Sequence, residues 1–281
     1  MPAPDAMTCD QLAKLIGTPK APIVLDVRRQ ALRDRDPRLI ASARALPEST
    51  LAHDGLARLV PTLCGPVVVT CAAGHGRSQA VAAWLRAEGI QAEYLEGGHD
   101  AWVAAGLPCF HPARLTGRDA QGRSLWVSRA RPKIDRIACP WLIRRFIDPQ
   151  AVFLFVSPAE VLSVAEALGA MPFDIEGVPF SHRSEQRGDT CTFDTLLDDF
   201  GLHLPALDRL ATIVRGADTA RPDLAPECAG LLAASLGLSR MYADDQAQLQ
   251  AGMALYDAFY RWARDATGET HNWPAATKGA R

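Results

Sequence analysis

The sequence predicts an α/β domain built on a parallel sheet, followed by a mainly α-helical (α+β) domain. Three observations carry this reading. Short apolar runs alternate with helix-spaced stretches through the first hundred residues. A segment rich in proline, glycine and charge breaks that rhythm at residues 108–128, and beyond it the helical period dominates. The expected boundaries are residues 1–110 for the first domain, 111–128 for a linker and 129–281 for the second domain.

Taken in order, "CDQLAKLI" has helical spacing and "PIVLDVR" is a short buried strand bounded by Pro22 and polar residues. "LARLV" is helical, "PVVVTC" is a second buried strand, and "SQAVAAWLRAEG" is a helix closed by Gly89. "AEYLEGG" is a third strand and "HDAWVAAG" a short helix closed by Gly106. Apolar strands separated by helices are the pattern of a parallel sheet covered on both faces. After the break, "SLWVS" reads as a strand, "CPWLIRRFI" as a helix and "AVFLFV" as a strand. "PAEVLSVAEALG" is a helix entered at Pro158 and left at Gly169. "TFDTLLDDFGL" has Thr192 as its expected N-cap. From "ALDRLATIVRGAD" to "ALYDAFYRWARDA" the pattern is helical, and the aromatics of "LYDAFYRW" read as core.

The chain has 281 residues, 48% hydrophobic and 22% charged, enough for two domains that each bury a core. A net charge of −2 and a pI near 6.4 argue against wholesale binding of a phosphate backbone. No apolar segment approaches the roughly 20 residues that span a bilayer. The start, "MPAPDAMTCDQLAKL", has neither a basic region nor a long apolar stretch, so no export signal is expected. The cysteines, at 9, 64, 71, 109, 139, 191 and 228, are odd in number and form no C-x-x-C pair. Such spacing disfavours a disulfide framework or a zinc ribbon and predicts a reducing, cytoplasmic location.

The most informative stretch is "VVVTCAAGHGRSQAVAAWL", residues 67–85. A loop running from a strand end into a helix turns successive N–H groups inward, and the helix adds the positive end of its dipole. A thiol in that cradle is pushed towards thiolate. Cys71 is therefore read as the nucleophile, with Arg77 as a positively charged clamp and Ser78 as the helix cap. Ala72, Ala73, Gly74, His75 and Gly76 form the cradle, in which Gly74 and Gly76 permit the tight curl. His75 is either a ligand contact or an exposed loop residue. Such a site suits a cysteine persulfide or attack on a tetrahedral oxyanion.

Residues 8–110 resemble a rhodanese domain. "IVLDVR" is similar to that family's first core strand, "LIASARALPES" to its central loop, and "YLEGGHDAWVAAGLP" to its closing segment. The resemblance implies that Cys71 carries a sulfane sulfur and that Asp26 belongs to a network beneath the site; Asp26 also reads as a polar strand end. Typical sulfurtransferase rhodaneses have a six-residue loop, often with arginine next to the cysteine. Here "CAAGHGR" has seven residues and Ala72 follows the cysteine. That resembles the longer loop of rhodanese-like phosphatases and arsenate reductases, which accept tetrahedral oxyanions.

In the second half, Arg131, Lys133, Arg136, Arg144 and Arg145 crowd around Cys139 in the sequence. They are either guanidinium forks for an oxyanion or a solvated helix face beside a buried thiol. "SHRSE" offers His182 and Glu185, and Asp135 and Asp218 lie in "DR" and "RGAD". Such nitrogen and oxygen donors suit a divalent Mn, Fe or Zn ion, although a lone histidine also serves structural roles. Asp194 and Asp198 sit early in a helix, where a dipole or solvent role suffices. "RPKIDRIACPWLIRRFIDPQAVFLFV", "PFDIEGVPFSHRSE", "CTFDTLLDDFGL", "ALDRLATIVRGADT" and "LLAASLGLSRMYADD" together resemble the C-terminal domain of the ChrB-type chromate-resistance family, over residues 129–266. That resemblance implies a role in chromate resistance, often as regulator of an efflux operon, with a fused rhodanese as a recurrent arrangement.

Two functions follow as expectations. One is a thiol enzyme of chromate or oxyanion resistance, either a sulfurtransferase or an oxyanion reductase or phosphatase-like protein, acting with a small oxyanion or a sulfur donor and acceptor. The other is a chromate-responsive transcriptional regulator that meets DNA. The absence of a helix-turn-helix signature and the acidic pI weigh against the second.

Overall fold

The computed structural model describes residues 5–185 and 188–269. In the first half, β1 (Ala6–Met7), α1 (Cys9–Leu15), β2 (Ile23–Asp26), α2 (Gln30–Arg35), β3 (Leu39–Ile40) and β4 (Arg44–Ala45) come first. They are followed by α3 (His53–Leu59), β5 (Val67–Thr70), α4 (Arg77–Ala87), β6 (Ala92–Leu95), α5 (Gly98–Ala104) and β7 (Cys109–Phe110). The main sheet has the order β1-β6-β5-β2-β4, and each of these pairings is parallel. β3 and β7 form a separate antiparallel ribbon.

Helices on both faces explain why β2 and β5 are apolar without alternation. One face sets Leu25, Val67 and Val69 against Leu56 and Leu59 of α3 and Val81 and Leu85 of α4. The other sets Val24, Val68 and Leu95 against Leu12 of α1, the adjoining Ile16 and Trp102 of α5. Asp26 lies opposite Thr70 in the β2–β5 register. The two strands therefore finish level, and their C-terminal ends open into the turns that carry Arg28 and Cys71. The start of α1 is fixed by a capping box between Thr8 and Gln11.

The second half runs β8 (Leu125–Arg129), α6 (Asp135–Leu142), a wider π-helical turn at Ile143–Ile147, β9 (Val152–Val156), α7 (Val161–Leu168) and β10 (Met171–Pro172). Then come β11 (Arg183–Glu185), β12 (Gly188–Thr190), α8 (Thr192–Phe200), α9 (Pro205–Asp218), α10 (Cys228–Met241) and α11 (Asp245–Asp265). β10-β8-β9 is a small parallel sheet, and β11–β12 is an antiparallel hairpin. No helix of the described residues is long and apolar enough to cross a membrane. The end of the expected second domain, residues 270–281, lies outside the described residues.

Two expectations change. The segment expected as a linker, 111–128, is shorter than expected: its end is the strand read in "SLWVS", now β8, and Leu115, Ser124 and Trp126 are buried. Phe110, Leu115, Trp126 and Phe146 join one apolar core that continues from α1 to α11. Backbone bonds cross the same seam, from Ser42 N to Phe146 O at 2.6 Å and from His111 N to Phe200 O at 2.9 Å. Thr192, in turn, is the first residue of α8 and not its cap; Cys191 is the cap, its N–H held by Asp194 Oδ2 at 3.0 Å. The Thr192 hydroxyl is drawn instead to Asp174 Oδ1 at 3.0 Å.

α6 and α11 approach closely because Gly252 faces Ile137. A Cβ added at Gly252 would lie 2.5 Å from Ile137 Cγ2, a stiff branch point. Gly252→Ala gains about 1 kcal/mol of helix propensity but overpacks a tight seam at a cost of about 1–3 kcal/mol. Net destabilisation is expected in urea unfolding. In an Ile137→Ala background, which removes the obstructing carbon, the same substitution is expected to become stabilising.

Candidate functional site

β5 ends at Thr70, and the chain turns through residues 71–76 before α4 begins at Arg77. Cys71 is buried. Its Sγ lies 3.2 Å from the His75 carbonyl and 3.2 Å from the Ser78 hydroxyl. The thiol is thus folded under its own loop. From the opposite side, His99 N and Asp100 N donate to the carbonyls of Cys71 and Ala72 at 2.8 and 2.9 Å. A Cβ at Gly98 would strike both of those carbonyls and the Gly74 amide. Glycine is therefore required there for the α5 turn to seat against the loop, and Gly74 itself has φ +71. Among the described residues, the backbone N–H groups of residues 72–76 donate to no other group. Gly74 is buried, whereas Ala73, His75 and Gly76 are exposed.

Two residues of the expected site are used differently. Arg77 donates to Glu48 Oε1 at 3.1 Å and to the Val27 carbonyl at 3.3 Å. Its guanidinium is committed to the nearest carboxylate, and the groups on Cys71 Sγ are a carbonyl and a hydroxyl. Ser78 is buried inside α4; the cap position is Gly76, with no side-chain cap bond. Its hydroxyl has turned to the thiol.

Beneath the loop, Asp26 accepts from Arg28 N and Nε, both at 2.8 Å. Arg28 then reaches the carbonyls of Asp36 and Arg38 and donates to His99 Nδ1 at 3.2 Å. His99 Nε2 faces the Arg38 carbonyl at 3.0 Å. With an arginine on Nδ1 and a carbonyl on Nε2, the ring is assigned as the neutral Nε2–H form. Burial, then the Arg28 charge, holds His99 below its ordinary value of 6.5. Asp26 is thus part of a network that supports the loop from below.

In the second half, four residues distant in sequence meet. Asp135 opens α6, Asp174 follows β10, His182 precedes β11, and Asp218 ends α9. His182 Nε2 lies 3.2 Å from Asp218 Oδ2, 3.4 Å from Asp174 Oδ1 and 3.6 Å from Asp135 Oδ2. One donor atom each from Asp135, His182 and Asp218 fall within 4.8 Å of one another. Asp135 is 0% exposed. Burial first, then the charges of Asp218 and Asp174, pushes its carboxyl well above the usual range. Burial also acts to raise Asp174, but His182, Arg136, Thr192 and Arg129 outweigh it and hold that carboxyl low. His182 is pushed up to about 10, chiefly by Asp174 and Asp218. The Glu185 side chain lies outside what the structure describes. Asp174 gave no sequence signal as a donor; only its convergence on His182 reveals it.

The arginines expected around Cys139 disperse. Arg131 donates to carbonyls of Ser239, Tyr242 and Ala243 at the end of α10. Arg144 binds the Ala151 carbonyl and lies over the Phe153 ring, and Arg145 grips Asp257 with two bonds of 2.7 and 2.8 Å. Lys133 is exposed, and Arg136 turns to Asp174. Cys139 is buried among apolar residues, and burial pushes its thiol up. Asp194 pairs with Arg215 at 2.6 Å and Asp198 with His203 at 3.2 Å, so both serve structure.

Residues 126–263 match the family model of the ChrB C-terminal domain. Protein ChrB of Cupriavidus metallidurans is 34% identical over 167 residues, which is 59% of this chain and 47% of that protein. The chain thus spans about half the length of the curated relative it matches. The N-terminal part is similar to solved rhodanese-like structures. A rhodanese-like domain protein from Staphylococcus aureus is 30% identical with a TM-score of 0.31, covering 37% of this chain and 96% of that one. A rhodanese-related protein from Thermoplasma volcanium is 27% identical with a TM-score of 0.30, covering 37% and 95%.

The buried His99 sets a pH dependence whose sign is fixed. Its folded value lies below its unfolded 6.5, so its contribution to stability is intact above that pH and is lost as pH falls below it. The stability difference between wild type and His99→Gln is expected to shrink on acidification, by at most about 1.4 kcal/mol per pH unit. Urea midpoints of the two proteins across that range measure it, and a pH-independent difference would contradict the neutral-ring assignment.

Proposed function

Starting from a chain that carries the ChrB C-terminal domain at residues 126–263, we propose that it serves chromate or related oxyanion resistance as a thiol protein, with Cys71 as carrier of a sulfane sulfur. The observation that carries this reading is the run of N–H groups at residues 72–76, with no other acceptor, in the loop that begins with the thiol. Oriented backbone amides in a partly desolvated turn stabilise a sulfur anion as they stabilise an oxyanion. With Arg77 on Glu48, the cradle offers dipoles and no guanidinium, which suits the single charge of a persulfide better than a tetrahedral dianion.

In the proposed cycle the Cys71 thiolate attacks the outer sulfur of a sulfane donor. An S–S bond forms at Sγ, the bond between that sulfur and the donor's leaving group breaks, and the leaving group departs with the electron pair. The terminal sulfur of the persulfide then carries the negative charge within reach of the loop amides. An acceptor thiolate attacks this terminal sulfur, takes it as its own persulfide and returns Cys71 to the thiolate. Ser78 and the His75 carbonyl hold the resting thiol in position for the first step.

Intact-mass spectrometry after incubation with thiosulfate or 3-mercaptopyruvate tests this reading. A gain of one sulfur atom is expected, reversed by cyanide or dithiothreitol and absent in Cys71→Ser. Arg77→Ala is expected to keep the adduct, because its guanidinium serves Glu48. A chain that takes up no sulfur, and whose Cys71 is protected from alkylation by arsenate or chromate, would shift the proposal to oxyanion handling. One that takes up no sulfur and binds its operator DNA would shift it to a transcriptional regulator.

A further inference from the structure

We propose that Asp135, His182 and Asp218, with Asp174 beside them, bind one divalent first-row cation of the Mn2+ or Fe2+ class, a site that does not rest on the chemistry of Cys71. Spacing is the first argument. Ligand atoms about 2.1 Å from a shared cation stand about 3.0 Å apart when cis-octahedral and about 3.4 Å apart when tetrahedral. The contacts of His182 Nε2 with Asp218 and Asp174, at 3.2 and 3.4 Å, fall in this range, and that with Asp135, at 3.6 Å, lies just beyond it. All three are longer than the about 2.7–2.9 Å of a charge-assisted N–H···O bond.

Charge gives the second argument. Asp174 has Arg129 and Arg136 on its Oδ2, at 3.2 and 3.1 Å, and turns Oδ1 to His182. Asp135 and Asp218 share with it a single imidazole. With two guanidiniums already on Asp174, it is Asp135 and Asp218 that are left to one half-exposed ring, a poor counterweight when Asp135 is wholly buried. A dication supplies the missing charge.

The third argument is independent of both. Asp135 faces His182 with Oδ2, which also accepts from Thr192 N at 2.6 Å, while its buried Oδ1 has no hydrogen-bond partner. An orphaned carboxylate oxygen at 0% exposure carries a large desolvation cost unless a ligand takes it up.

The donor set identifies the ion's class. One imidazole with carboxylate oxygens, and no thiolate in the cluster, matches borderline-to-hard first-row dications and not Cu(I) or an iron–sulfur centre. A cleft of about 370 Å3 lined by His182, Arg183, Ser184 and Thr219 gives access from solvent.

The full chain, stripped with EDTA and dialysed, is titrated with MnCl2, with bound ion followed by electron paramagnetic resonance and by elemental analysis of the dialysed protein. One Mn2+ per chain is expected, with a rise in unfolding temperature at saturation. His182→Ala and Asp218→Asn are each expected to weaken binding by more than about tenfold, with unchanged far-UV circular dichroism, since both side chains reach solvent. Asp135→Asn extends the test where it folds. Cys71→Ser is expected to bind Mn2+ as wild type does, which separates this site from the thiol reading. Absence of saturable Mn2+ binding by the folded chain overturns the proposal. So does binding that His182→Ala and Asp218→Asn leave unchanged.

Discussion

Burying a carboxylate is the constraint around which both halves of this chain are organised. Asp26, Asp135, Asp174 and Asp194 are all buried, and each must find compensation inside the protein. Removing one partner of such a buried pair costs about 3–5 kcal/mol, because the other charge is stranded. In the first half the solution is local. Arg28 lies two residues from Asp26, is itself buried, and spends its remaining donors on the carbonyls of Asp36 and Arg38. Those bonds pin the turn after β2, and His99 carries the network to the loop that holds Cys71. The loop that holds Cys71 is thus braced by a network that pairs the carboxylate below it.

The second half solves the same problem by convergence. Asp135 takes the first N–H of α8, Asp174 takes the Thr192 hydroxyl beside it, and His182 joins both to the end of α9. Three helices and the end of a strand are tied to one polar point inside an otherwise apolar core. That core does not stop at the domain boundary. Trp141 packs on Phe146, Phe193 and Tyr260, and the same cluster contains Leu12, Ile16 and Phe110 of the first half. Residues 111–128 are short and partly buried, so they join the halves without spacing them apart.

Much of this was legible in the residues, for physical reasons that also mark where legibility ends. "PIVLDVR" and "PVVVTC" announce strands because a strand covered on both faces has no solvent side to alternate with. Helix ends were readable where a glycine follows them, as at Gly169, and within two residues at Gly89 and Gly106. The ChrB-type motifs, placed at 129–266, correspond to a family match over 126–263. What failed was the use of individual side chains. Thr192 has the chemistry of a cap, but Asp174 competes for its hydroxyl, and that residue lies 18 positions away. Arg77 has the position of a clamp, and its guanidinium lies 3.1 Å from Glu48, a partner 29 positions away that the sequence did not signal. Asp174 was invisible because nothing local distinguishes it; it sits at φ +54 in an irregular segment and acquires meaning only beside His182.

The fate of the seven cysteines follows from the same electrostatics. Cys139 and Cys191 lie in the core near Asp135, where burial first and that carboxylate's charge second push both thiols far above their ordinary value. Cys109 is pushed up to about 11, again chiefly by burial. A protonated thiol in an apolar pocket is neither nucleophile nor metal ligand. Cys139 and Cys191 therefore act as small hydrophobic side chains that fill space under the polar cluster. Cys71 is also buried, but its surroundings differ in kind: a hydroxyl, a strand end, and backbone amides that no other group occupies. Burial silences a thiol where only hydrocarbon and carboxylates surround it. The oxygen-rich cluster of the second half therefore has no ionised thiol beside it, whereas Cys71 lies in the first half against a hydroxyl and a carbonyl.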